Sequence, residues 1–281
     1  MSTALKAAPG RLQRALLIAP LPLLLVLAYV IPFLGVARWS VTLPRFGFDH
    51  YGALVSDALV ISVFVRTTRI CLVVTAIAVT LAYIMAYVWV RGTPRQRLAM
   101  EFCVLVPFWI SVLTRAFGWV ALLANRGLIN SWGQSLGLFD QPLALVHNEF
   151  GVIVGMTHYL VSVAVLPLAS SMRRVDDRVL MAARGLGASR LRTFWSVFLP
   201  MTQAGIIGAT LLVLVFALGF FITPAVLGGG RAVMVAELVY VRIFQSPDWG
   251  LAAAISVAMV VVVGGLLALF VRFAKPKDLV G

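Results

Sequence analysis

The side chains that could do chemistry form none of the patterns that hydrolases and metalloenzymes use. The chain has no HExxH zinc motif and no GxSxG nucleophile motif. Its three lysines follow Leu5, Ala274 and Pro276, so none completes the Gly-Lys pair with which a Walker A loop holds ATP. The two cysteines, Cys71 and Cys103, form no CxxC pair. We therefore predict no catalytic residue, no metal site and no cofactor.

Three ionisable side chains lie inside apolar stretches, where such groups are functional candidates by default. Glu101 and Arg115 fall near opposite ends of one stretch, so both are predicted to extend to the membrane surface. His158 is the titratable group deepest in an apolar stretch. A proton relay needs several such groups in series, and we therefore interpret His158 as a hydrogen-bonded packing residue.

The connection between residues 173 and 200 carries the most informative pattern. Its first half predicts a helix whose apolar face consists of Val179, Ala182, Ala183 and Leu186. Gly187 follows where that helix should end, and Ser189 is a good N-cap for a second helix. The predicted apolar face of this second helix consists of Leu191, Phe194, Trp195 and Phe198. Two interpretations stay open: a helix laid into a partner's groove, or a loop packed on its own bundle.

The elements that must position these residues are membrane spans. The chain has 281 residues, of which 62% are hydrophobic and 12% charged, whereas soluble domains are about 45–50% apolar and about 25% charged. A spanning helix needs about 20 apolar residues. The windows that qualify are 15–37, 70–90, about 99–124, 150–172, 193–230 and 249–271. We predict an all-α polytopic membrane protein with six transmembrane helices, the first of them retained and not a cleaved signal peptide.

Basic residues predict the orientation of these spans. Of the 23 Lys and Arg residues, fifteen fall on the side of the two termini and the 173–200 connection, and eight on the other. The predicted organisation is a cytoplasmic N-terminus at 1–14, a transmembrane domain at 15–272 with a cytoplasmic loop at 173–200, and a cytoplasmic tail at 273–281. The net charge of +13 is thus a topology signal, and we expect no nucleic acid partner.

The 173–200 connection resembles the EAA motif of the permease subunits of ABC importers, E-A-A-x3-G-x9-I-x-L-P. The matching positions, with the spacing kept, are Met181, Ala182, Ala183, Gly187, Val197, Leu199 and Pro200. The resemblance implies a type I ABC-importer permease fold and a role for these residues in coupling to an ATPase. Met181 replaces the motif glutamate, which removes any salt bridge made by that side chain and leaves docking by shape.

Further segments are similar to the spermidine/putrescine branch of these permeases. They are 106–109, 114–115, 125–130, 222–224 and 227–229. Members of that branch can carry aspartates where Phe220 and Ala225 stand, and their absence weakens the case for a polycationic substrate. The resemblance implies a multi-pass protein in the lipid bilayer of the bacterial inner membrane. Its implied partners are two ABC ATPase subunits, a second permease, homologous or identical, and an extracytoplasmic solute-binding protein.

The expected function is import of a small organic solute, a polyamine or a related amine or amino-acid-like compound, by alternating access. Candidate pathway residues are Trp109, Trp119, His158, Tyr159, Phe220 and Phe221. Lipid-facing or packing roles remain open for each of them. Two rival classes remain: a secondary transporter or channel, which should carry ionisable groups at mid-membrane, and an intramembrane enzyme, which should carry a catalytic constellation.

Overall fold

The computed structural model describes residues 19–273, and all regular elements in that range are helices. The predicted segment 1–14, the start of the first span and the tail beyond Phe273 lie outside the described residues. The helices are α1 (Pro20–Thr42), α2 (Asp49–Ser56), α3 (Ala58–Arg91), α4 (Pro94–Trp109), α5 (Val112–Leu123), α6 (Leu128–Ser135), α7 (Glu149–Arg173), α8 (Asp177–Gly185), α9 (Arg190–Met201), α10 (Gln203–Leu218), α11 (Ile222–Gly228), α12 (Val235–Phe244) and α13 (Trp249–Phe273).

The predicted all-α polytopic architecture is confirmed. Helices α1, α3, α7 and α13 are each long and apolar enough to cross a bilayer. Two further spans pass the same test only as bent pairs, α4 with Val112–Ser135 and α9 with α10, bent by 106° and 62°. Counting each bent pair as one span gives the six predicted crossings within the described part of the chain.

The third span, predicted over about 99–124, consists of two helices with a break between them. Helix α4 ends at Trp109, and Ile110 is extended, with φ −72° and ψ 133°. Pro107 lies in the last turn of α4 and supplies no N–H to that turn. The Arg115 guanidinium donates to the carbonyl oxygens of Pro107 and Ile110, which the end of the helix leaves without intrahelical partners. A hydropathy window cannot register this break because both halves are apolar.

The core is formed by α3, α7 and α10, each of which packs against the other two. Small residues allow this close approach: Ala78, Ala82 and Ala86 of α3 are fully buried. Where α10 crosses α7, a Cβ added to Gly205 would lie 2.4 Å from the Cβ of Ser171. The backbones of these two spans therefore meet at a position where only glycine fits.

Helix α1 stands apart from this core and packs against α13. No residue in its most apolar window is buried, although Trp39 near its end meets Trp249 in an edge-to-face contact with centroids 5.9 Å apart. The apolar surface of α1 is thus available to lipid or to another chain.

Helix α3 has 34 residues and is the longest helix in the part of the chain that the structure describes. At 1.5 Å per residue it is about 50 Å long, against about 30 Å for the hydrocarbon core of a bilayer. Its start is joined to α7 because Glu149 forms ion pairs with both Arg66, at 3.3 Å, and Arg69. Its last residue, Arg91, lies beside the 174–200 connection. We call the end of the bundle near Arg91 the basic end, and the end near Glu149 the far end.

Candidate functional site

The segment between α7 and α10, which we call the coupling segment (174–200), folds locally as its sequence predicts. The Asp176 side chain caps α8 by accepting a hydrogen bond from the Arg178 backbone N–H at 2.8 Å. Gly187 has φ +90°, a left-handed conformation that favours glycine after a helix. The Ser189 hydroxyl then caps α9 by accepting from the Arg192 backbone N–H at 3.2 Å. These caps confirm the two predicted helices and fix where each begins.

Helix α8 has no buried residue. Of the residues that match the EAA pattern, Met181 and Ala182 are exposed and Ala183 is half-buried. Leu186, just beyond the helix, is 90% exposed, an unusual position for a leucine unless another surface covers it. Val197 and Leu199 are half-buried and Pro200 is exposed. The first half of the coupling segment thus presents an open apolar face, while the second half packs partly on the bundle.

The second predicted helix departs from its expected single apolar face. Phe194–Phe198 forms a π-helical turn, in which hydrogen bonds join residues five apart. This wider turn shifts the side chains off the predicted stripe. Phe198 is buried and meets the Tyr87 ring at 5.4 Å, whereas Leu191 and Trp195 remain exposed. The predicted stripe therefore divides into a half that anchors the segment to α3 and a half that stays free.

Arg91, the last residue of α3, contacts the coupling segment at three points. Its guanidinium forms an ion pair with Asp177 and donates a 3.1 Å hydrogen bond to the Val175 carbonyl oxygen. The Arg91 Cζ also lies 5.4 Å from the centroid of the Phe198 ring, in a cation–π contact. One side chain of α3 thus holds both the part before α8 and the part after it. The sequence alone does not indicate this role of Arg91, because these partners lie more than 80 residues away.

A cavity of about 500 Å³ opens where the chain breaks between α10 and α11. Its lining residues are Val112, Tyr159, Val215, Phe216, Gly219, Phe220, Phe221 and Ile222. The rings of Tyr159 and Phe220 meet with centroids 5.5 Å apart. Phe221 continues the aromatic surface to Tyr240 of α12, at 5.0 Å. Three of the six predicted pathway residues are therefore brought together in one aromatic cavity.

The other three predicted pathway residues lie elsewhere. Trp109 is 81% exposed at the end of α4 and does not line this cavity. The Trp119 indole N–H donates to Nδ1 of His158 at 3.1 Å, as the packing interpretation of His158 predicts. His158 lines a separate cavity between α3 and α7. Because an indole nitrogen can only donate, Nδ1 of His158 is the acceptor and its Nε2 carries the proton.

The prediction that Arg115 extends to the membrane surface is wrong. Arg115 is only 7% exposed, and its Cζ lies 4.9 Å from the centroid of the Tyr159 ring. Backbone carbonyls released by the break in the third span hold it inside the bundle. Arg115 therefore connects that break to the wall of the aromatic cavity. Glu101, in contrast to Arg115, is exposed. Its carboxylate accepts a 3.1 Å hydrogen bond from the Trp89 indole N–H.

A buried carboxylate lies beside this aromatic surface and was not predicted. Glu237 of α12 is 8% exposed and stands three residues before Tyr240. Burial raises the pKa of Glu237, and a hydrogen bond from the Met234 backbone N–H lowers it in part. Among the described residues, no donor reaches its Oε2. The sequence offers one signal that could have singled out Glu237, since no other acidic residue occurs between 178 and 247.

Solved structures with the same architecture identify the fold. A chain of a bacterial alginate ABC transporter superposes with a TM-score of 0.82 at 17% identity, covering 95% of each chain. A chain of an amino acid ABC transporter superposes with a TM-score of 0.57 at 14% identity, covering 81% of this chain and 98% of the other. The fold is that of an ABC-transporter permease.

Sequence comparison gives the family. Residues 78–276, more than half of the chain, match the family described as binding-protein-dependent transport system inner membrane component. The spermidine/putrescine transport system permease protein PotB of Escherichia coli is 31% identical over 230 residues, covering 82% of this chain and 83% of PotB. PotB of Haemophilus influenzae is 32% identical over 203 residues, covering 72% and 71%. The chain belongs to this family of multi-pass inner-membrane permeases.

Proposed function

We propose that this chain imports a small organic amine, a polyamine or a related compound, and that separate ATPase subunits drive it. The observation that carries the proposal is the similarity to the PotB permeases along four fifths of the chain. The proposed assembly contains two ATPase subunits, a second permease and an extracytoplasmic solute-binding protein. Among the described residues, Arg115 and Glu237 are the only buried side chains of the Asp, Glu, Lys and Arg types, and this scarcity argues against a proton-driven carrier.

The coupling segment is the proposed ATPase contact. Helix α8 offers small side chains at Ala182 and Ala183 and exposed apolar ones at Met181 and Leu186, which suit a helix lying in a groove. With methionine at the glutamate position of the motif, this contact depends on shape and apolar burial rather than on a salt bridge. Gly187 fixes the turn that presents the helix.

The aromatic cavity is the proposed solute pathway. Faces of Tyr159, Phe220 and Phe221 can each attract an ammonium group by about 0.5–2 kcal/mol. The Arg115 guanidinium already lies over Tyr159, which adds positive charge near the cavity wall. Such a cavity lets an amine pass but holds it weakly, so we assign most of the discrimination between solutes to the binding protein. Glu237 offers the one buried carboxylate of the described residues near this route.

Uptake of radiolabelled spermidine and putrescine, with the cognate ATPase and binding protein present, tests this function. We expect Phe220→Ala to lower uptake by about 2- to 30-fold, the factor that corresponds to one lost cation–π contact. Phe117→Ala is the matched control, since this exposed phenylalanine of α5 does not line the cavity. Amine uptake that persists without the ATPase, or that is equally unaffected by both variants, would contradict the proposal.

We also propose that the basic end of the bundle faces the cytoplasm, because it carries the larger share of Lys and Arg. In a protein without Cys71 and Cys103, Ser246→Cys should react with a membrane-impermeant thiol reagent added to spheroplasts. Arg95→Cys, also at an exposed position, should react only after the membrane is opened. The reverse labelling pattern would invert the proposed topology.

A further inference from the structure

A second cavity, of about 250 Å³, lies at the basic end between α3 and α7. Its lining residues are Trp89, Leu166, Ala169, Ser170, Arg173 and Arg174. Two guanidinium groups, a hydroxyl and an indole thus share one small cavity with two aliphatic side chains. Neither the proposed coupling contact nor the solute pathway uses these residues.

The lining changes from apolar to basic along α7. Leu166, Ser170 and Arg173 are spaced as residues of one helical face, and all three are exposed. Leu166 lies about two turns before the end of a spanning helix, at the depth of acyl chains, whereas Arg173 is its last residue. A molecule with an anionic head and an apolar tail matches this order.

Arg173 is held in place but keeps its hydrogen-bonding capacity. Its Cζ lies 5.3 Å from the centroid of the Trp89 ring, and the Trp89 indole is itself oriented by donating to Glu101. Among the described residues, Arg173 makes no hydrogen bond or ion pair, so its N–H donors are available to an acceptor. The end of α7 carries partial negative charge, and two arginines offset both this and the Glu101 carboxylate.

We propose that this cavity binds the phosphate headgroup of an anionic phospholipid, with one acyl chain lying along Leu166. Arginine donates to phosphate oxygens in a paired geometry, and indole rings favour the membrane interface, so both side-chain types fit this ligand. Basic pockets between spanning helices at the membrane surface are a recurrent form of headgroup site. A free phosphate would use the arginines but would leave the continuous apolar face at Leu166 without a partner.

The site lies where α7 joins the coupling segment, since Arg173 ends α7 and Arg174 begins that segment. Arg173 and Arg174 precede Val175, whose carbonyl oxygen accepts the hydrogen bond from Arg91. A bound headgroup would therefore hold the last turn of α7 and steady the start of the coupling segment. The proposal depends on the membrane placement of α7 and is independent of which solute is transported.

The test uses the assembled transporter in nanodiscs that contain phosphatidylcholine with or without phosphatidylglycerol. After delipidation in detergent, native mass spectrometry counts the phosphatidylglycerol molecules that remain bound. We expect Arg173→Ala with Arg174→Ala to lose one such lipid per copy of this chain and to weaken its binding by about 10-fold or more. Arg95→Ala, which removes one charge at the same end, is the control and should retain it. Ser170→Leu should also lose the lipid, because it fills the cavity without changing charge.

Three results would overturn the proposal. Equal lipid retention in every variant would show general attraction to the basic end. Thermal stabilisation by inorganic phosphate equal to that by phosphatidylglycerol would show a simple anion site. Loss of the ATPase subunits from the Arg173→Ala transporter, with lipid retained, would show that the arginines contact protein. Should the double variant fail to assemble, Ser170→Leu alone decides between the outcomes.

Discussion

Leu186→Asp is expected to lower ATP-dependent uptake by at least about 10-fold while leaving the permease folded. Leu186 is 90% exposed, so its replacement removes little packing within this chain. If an ATPase groove covers it, burial of the leucine contributes about 1.5–3 kcal/mol to docking, and an aspartate would add a desolvation cost. A loss of this size corresponds to about 10- to 150-fold weaker association. Copurification of the ATPase with the tagged permease measures it directly.

Leu138→Asp supplies the control for this substitution. Leu138 is 72% exposed, lies outside the coupling segment and follows α6, so the same chemical change should leave ATPase copurification intact. Full uptake and normal ATPase recovery with Leu186→Asp would exclude the open face of α8 as the contact.

Arg91→Ala is expected to uncouple ATP hydrolysis from import. The variant loses a charged hydrogen bond to the Val175 carbonyl, worth about 1.5–3 kcal/mol, and a cation–π contact with Phe198. Its ion pair with Asp177 adds less, because the Asp177 side chain is 69% exposed. The coupling segment would still dock on the ATPase but would transmit its movement poorly to α3. We expect about 10-fold fewer solute molecules imported per ATP hydrolysed.

Measurement in proteoliposomes separates this effect from a loss of assembly. ATPase copurification with Arg91→Ala should match that of the unmodified protein, in contrast to Leu186→Asp. Arg91→Lys should recover part of the coupling, since lysine restores the charge but not the planar guanidinium. Arg95→Ala, in the first turn of α4, should behave as the unmodified protein. Unchanged import per ATP in Arg91→Ala would show that the coupling segment acts on another helix.

The elements that could be predicted from sequence are those that depend on neighbouring residues. Charge-free windows located five of the six spans, because a bilayer admits few ionised groups. Gly187 and Ser189 marked the end of α8 and the start of α9, because helix ends depend on residues only a few positions apart. Tyr159, Phe220 and Phe221 could be predicted only as separate aromatic candidates. Their grouping in one cavity could not be predicted, since 60 residues lie between Tyr159 and Phe220.

The features that could not be predicted depend on contacts between distant segments, or on local conformations that the same sequence pattern fits equally well. The break after Trp109 joins two apolar halves, and hydropathy is the same whether they bend or not. The burial of Arg115 could not be predicted without knowing of that break, because the backbone carbonyls released there are the hydrogen-bond partners of Arg115. The π-helical turn at Phe194–Phe198 displaced the predicted apolar stripe by a fraction of a turn, which a fixed 3.6-residue period cannot show.

The length of α3 has a mechanical consequence. A helix of 34 residues that is anchored through Arg66 and Arg69 at the far end and through Arg91 at the basic end acts as a lever. Over about 50 Å, a tilt of about 10° about one end moves the other by roughly 9 Å. A small tilt imposed on α3 at the coupling segment would therefore move its other end, at the opposite membrane surface, by nearly the width of a helix.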